Sequence, residues 1–202
     1  MRVILGQQLS EFLSLNRGSS PTDDVFFSGG AGLNFGSTRR VEILGPDLDR
    51  PLRIDSAPDF DGSALVSADS LESELIGTVE FHPTYSNSSP EVAERVLSRV
   101  ISQLSDGACV MVSNDAFEDT DATEQMPTVE ELETALTSGW FWWRSWDYRC
   151  GGVSAVVAIE KSPVSNPHRA DGFYIRIYLQ RFAEWERRMN EREDKARSLI
   201  PN

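Results

Sequence analysis

Carboxylates are the most numerous chemically capable groups in this chain, and they are unevenly placed. The 202 residues carry 32 Asp and Glu against 19 Lys and Arg, a formal net charge of −13. Between Ile54 and Trp143 stand eighteen acids and only two bases, Arg95 and Arg99. The densest run is Asp115, Glu118, Asp119, Asp121 and Glu124. Closely spaced carboxylates can hold a hard cation or meet a basic protein. A calcium loop needs oxygens at alternate positions, a mid-loop glycine and a closing Glu; this run has no glycine. Asp59-Phe60-Asp61-Gly62 fits a fragment of such a loop, but its first and last ligand positions would be Ala57 and Ala68. No metal is expected at either place, and a solvated acidic surface is the simplest reading of both.

Catalytic groups are sparse. His82 and His168 are the only histidines, one followed by Pro83 and the other preceded by Pro167. Neither stands beside a nucleophile or in a two-His metal pattern. His82, at a strand end near an acidic region, could serve as an acid or base, but a structural or surface role is simpler. The carboxylates are too many for one glycosidase-like pair to stand out. Ser28-Gly29-Gly30-Ala31-Gly32 lacks the Gly-Lys-Ser/Thr ending of a P-loop and the G-x-G-x-x-G pattern, so it reads as a turn or bulge. Cys109, in Ala-Cys-Val-Met-Val, reads as a small buried hydrophobe. Cys150 falls in a turn, and two such cysteines give neither a disulfide framework nor metal spacing. The expectation is a protein that is not an enzyme and uses no cofactor.

The block Gly139–Tyr148 is the most unusual local feature. On a strand, Trp140, Trp142, Arg144, Trp146 and Tyr148 share one face, and Phe141, Trp143, Ser145 and Asp147 the other. Such a face could stack a small ligand or anchor a protein interface. The plainer alternative is core packing. Both faces carry Trp, so part of the block is expected to be half-exposed or covered by the terminal helix.

Around these residues the chain predicts an α+β fold with a mixed, largely antiparallel sheet. Short β-like runs at Val3–Leu5, Val25–Phe27, Gly32–Phe35, Arg40–Leu44, Leu52–Asp55 and Ala64–Ser67 alternate with turn signals, and a helix is read over Gln7–Leu15. Leu75–His82 reads as a strand. Ser89-Pro90 caps an amphipathic helix to Leu104, ended by Asp106-Gly107. Ala108–Val112 reads as a buried strand. These three make a β-α-β unit over about 75–112. Ser113 to Met126 reads as an acidic loop. Thr128-Val129-Glu130-Glu131 opens a second packing helix. Strands follow at Trp140–Tyr148, Val153–Glu160 and Phe173–Leu179, the first two joined through Gly151-Gly152. A C-terminal amphipathic helix is read from about Arg181. One domain over 1–202 is expected, with a β-rich subregion over 1–70 and an α+β part over 71–202.

No run approaches the ~18 apolar residues of a spanning helix. The N-terminus lacks the long apolar segment of a secretory signal. A cytoplasmic location is therefore expected, with neither membrane nor nucleic acid as partner, because the acidic middle repels both. The leading expectation is an acidic protein that binds and neutralises a basic protein, such as a toxin or nuclease, in the manner of bacterial immunity proteins. The likeness is one of character; no residue motif carries it. Glu118, Asp119 and Asp121 would meet the partner, with Trp142 or Trp143 as an apolar anchor. The alternatives are a ligand binder or enzyme that uses the Trp strand as a stacking platform, and a subunit docking through its C-terminal helix.

Overall fold

Strand alternation and one strongly amphipathic helix build the architecture. The computed structural model describes residues 1–17, 23–27, 30–45, 48–68, 75–84, 87–117, 125–137, 142–161, 172–183, 186–187 and 190. In chain order the elements are β1 (Arg2–Ile4), α1 (Leu9–Leu15), β2 (Asp23–Phe27), β3 (Gly30–Thr38), β4 (Arg40–Leu44), β5 (Leu52–Asp55), β6 (Gly62–Ala68) and β7 (Ile76–His82). Then come α2 (Pro90–Asp106), β8 (Val110–Phe117), α3 (Val129–Thr137), β9 (Trp143–Cys150), β10 (Val153–Lys161) and β11 (Phe173–Arg181). The fold is α+β. A three-stranded mixed sheet has the order β1-β4-β5, with β1 parallel to β4. An eight-stranded sheet runs β2-β3-β6-β7-β11-β10-β9-β8, and each of its ladders is antiparallel.

α2 starts where the chain dictates it. The Ser89 side chain accepts from the Val92 N–H, and Pro90 takes the first turn, where no amide donor is needed. Ala93, Val96, Leu97, Val100 and Leu104 are buried along one stripe, which packs toward β5, α3 and β11. At its end Gly107 is closely approached: a Cβ there would stand 2.8 Å from the Leu52 Cδ1, and that buried side chain would have to shift. Val79 and Phe81 of β7, Ile175, Ile177 and Leu179 of β11, and Val157 and Ile159 of β10 complete the core on this inner face of the large sheet. Residues one position over point to the opposite, outer face.

Three expectations change. β7 and β8 flank α2 in sequence, but β11, β10 and β9 lie between them in the sheet. Four antiparallel steps leave them running the same way without pairing. Second, the apolar run at Ala108–Val112 does not form an inner strand. β8 is the edge strand of the large sheet, with Val110 66% and Val112 43% exposed. Val112 is skipped where the register shifts between Met111 and Ser113, a bulge of the kind that blunts an open edge. The strand continues to Phe117, so the acidic segment begins later than the composition suggested.

Third, Cys109 and Cys150 are joined in a disulfide, with their Cα atoms 4.2 Å apart. Val110 pairs with Arg149 across β8 and β9, and the disulfide takes the next place along that ladder. An antiparallel pair without mutual hydrogen bonds brings Cα atoms to about 4.5 Å, close enough for the bridge. Periodicity within one strand carries no information about this partner, which is 41 residues away. The C-terminal helix expected from about Arg181 falls largely outside the described residues, and β11 itself runs through Arg181.

Candidate functional site

The Trp block becomes β9 only from Trp143 onward; residues 138–141 lie outside the described residues. Trp142 is 7% exposed, and its ring meets the edge of Phe173 at 5.5 Å. The Arg144 guanidinium lies 5.5 Å from the Trp142 ring centre. Arg144, Trp146 and Tyr148 are buried on the same inner face, so most of this aromatic stripe is core. Trp143 lies on the outer face and is half-buried.

Glu118, Asp119 and Asp121 fall outside the described residues, as does His168. The residue that precedes them in the chain is described. Phe117, the last residue of β8, is registered opposite Trp143. Phe117 is followed in the chain by Glu118, so the described part of β8 ends opposite Trp143. Beyond it, the Glu131 carboxylate accepts from the Thr128 N–H at 2.7 Å, and the Thr128 hydroxyl accepts from the Glu131 N–H at 3.3 Å. This reciprocal cap starts α3 and leaves Glu130, Glu131 and Glu133 exposed. Glu131 also stands 3.7 Å from Arg144.

The outer face holds a second constellation, which sequence reasoning missed. β7 presents Glu80 and His82, β11 presents Tyr174 and Arg176, and β10 presents Glu160. The rings of His82 and Tyr174 stack with centres 4.9 Å apart, and the Tyr174 hydroxyl lies 3.2 Å from His82 Nε2. Glu80 Oε1 is 3.4 Å from the same nitrogen. Arg176 stands 3.9 Å from Glu80 and 3.8 Å from Glu160. Burial, reinforced by Arg176, lowers the His82 imidazole to about 4, so it is neutral near pH 7. Its Nδ1 is buried with no hydrogen-bond partner among the described residues. Burial pushes the Glu80 carboxyl up, and Arg176 pulls it partly back. Burial, with Glu80 adding to it, raises the Tyr174 phenol to about 12.

In sequence His82 has only Glu80 nearby on its own strand; in space it also meets Tyr174, 92 residues away. The only local sign was polar residues interrupting apolar alternation in β7, β10 and β11. That sign marks a face without saying which strands adjoin. The other well-placed carboxylates are structural. Glu42 accepts from Arg53 at 2.7 Å and Arg2 at 3.0 Å, and the Arg53 bond holds its carboxyl below the usual range. Asp55 is bonded by Arg40, by Gln103 at 3.1 Å and by Arg99 at 3.5 Å, and Arg40 contributes most to lowering its carboxyl.

Among the described residues, no group of three or more His, Cys, Asp and Glu side chains is placed to hold a metal ion. No described helix is long and apolar enough to cross a membrane. No protein family, curated protein or solved structure matches this chain.

Proposed function

We propose that the chain is a non-enzymatic acidic protein that binds and neutralises a basic protein partner, of the immunity-protein or inhibitor type. The observation that carries this reading is the register of Phe117 opposite Trp143. Glu118, Asp119 and Asp121 follow Phe117 in the chain, and its ladder partner Trp143 is half-buried on the outer face. Carboxylates there speed encounter with a positively charged surface, and an aromatic anchor slows escape. Burial of Trp142 leaves Trp143 as the anchor of the two. Burial of Trp142 and Trp146 also supports partner binding over a stacking platform built on those two rings.

The test compares wild type with Glu118→Gln/Asp119→Asn/Asp121→Asn as immobilised bait in extract of the source organism. The identified partner is then measured by surface plasmon resonance. A basic partner is expected, with association slowed about ten-fold or more at low salt and the deficit shrinking as salt rises. An acidic partner, or equal association by the triple variant at low salt, would refute the assignment.

A further inference from the structure

We propose that the outer face around Glu160 is a receptor for one arginine side chain of the basic partner, its guanidinium lying on the Glu160 carboxylate between Trp143 and Tyr174. The proposal rests on the partner-binding reading above and specifies its chemistry.

The strand register builds this receptor. Glu160 of β10 is directly opposite Trp143 of β9 on one side and Tyr174 of β11 on the other. Directly opposed side chains on one sheet face have Cβ atoms about 4.5–5.5 Å apart. A carboxylate is therefore flanked on both sides by aromatic residues, each half-buried. Such a slot disfavours an anion. A guanidinium can stack on the indole and pair with both carboxylate oxygens, which an ammonium cannot do in one plane.

Among the described residues, charge around the slot is under-compensated. Glu80 and Glu160 share one described guanidinium, Arg176, at 3.9 and 3.8 Å. A close charge-assisted bond is about 2.7–2.9 Å. His82 adds no positive charge near pH 7. Glu42 and Asp55, by contrast, each have two arginines of their own. Two carboxylates with one distant cation between them leave a local formal charge of about −1 in a half-buried, aromatic-lined place. A second guanidinium would neutralise it. Phe117, the ladder partner of Trp143, immediately precedes Glu118 in the chain, which links the slot in sequence to the acidic run.

The probe is N-acetyl-arginine amide, with N-acetyl-citrulline amide as its neutral isostere, titrated into the full chain at low salt. The Trp143 indole N–H is followed by heteronuclear NMR and assigned with Trp143→Phe. A saturable shift is expected with the arginine compound and none with citrulline. Glu160→Gln should weaken binding about ten-fold or more. Arg176→Gln, at an exposed residue, removes the internal competitor and should tighten binding at least about two-fold. Equal shifts with citrulline, unchanged binding by Glu160→Gln, or weaker binding by Arg176→Gln would each overturn the receptor. A partner held alike by wild type and Glu160→Gln but lost by the acidic triple variant would remove the receptor and leave the acidic surface standing. Arginine binding in a protein that captures no basic partner would instead count against the partner-binding reading.

Discussion

His82 should make this protein measurably acid-sensitive in a pH range where most carboxylates are still ionised. In the unfolded chain the imidazole titrates near 6.5, and in the folded one near 4, because burial opposes its charge. Below pH 6.5 the unfolded chain takes up a proton that the folded chain refuses. Stability is therefore full above the unfolded value and falls as pH drops toward the folded one. Shifts of this size are worth about 3 kcal/mol in total, and about 2 kcal/mol of that is lost between pH 7 and pH 5. With only 14% of the side chain exposed, solvent screening reduces the effect little. Glu80 works the other way: its raised carboxyl takes a proton in the folded state first and offsets part of the loss. His82→Gln isolates the histidine contribution, since Gln keeps a polar nitrogen or oxygen near the Tyr174 hydroxyl and does not titrate. Urea unfolding of both proteins at pH 7, 6 and 5 measures it. Wild type should lose stability on this interval, and the variant should stay level or gain slightly. Parallel slopes for the two proteins would refute the placement of a neutral, buried His82 beside Tyr174.

Val96→Asp places an unpaired carboxylate on the buried stripe of α2, where Val96 is 2% exposed, and should cost more than about 3 kcal/mol in chemical denaturation. Unchanged stability would show that this face of α2 does not pack inward. The native protein, unfolded without reductant, should show no titratable thiol, and reduction should lower stability by up to about 4 kcal/mol, the chain-entropy value for a loop of this length. Two free thiols in the unreduced protein would overturn the pairing of Cys109 with Cys150. That pairing, where present, is characteristic of an oxidising compartment and weighs against the cytoplasmic expectation.

What the sequence determined by itself was local. Ser89, Pro90 and the three- and four-residue spacing from Val92 to Leu104 were enough to place α2, because capping and amphipathicity act within a few turns. Gly151-Gly152 likewise placed the β9–β10 hairpin, since two residues must reverse the chain. Alternation from Trp142 to Tyr148 separated two faces correctly but did not say that the face with Trp142 was core. The net acidity of the middle was also legible, as a sum over residues that needs no coordinates. Only the tertiary structure decided that β8 is an edge strand, that Cys109 faces Cys150, and that Glu160 stands between Trp143 and Tyr174. It alone brought Tyr174 onto His82, and among the described residues it gave Glu42 and Asp55 two arginines each while Glu80 and Glu160 share one. Strand order is set by how the apolar faces of all elements are buried together, a property of the whole chain. No window of neighbouring residues contains it, so a site assembled across four strands leaves only scattered polar residues in the sequence.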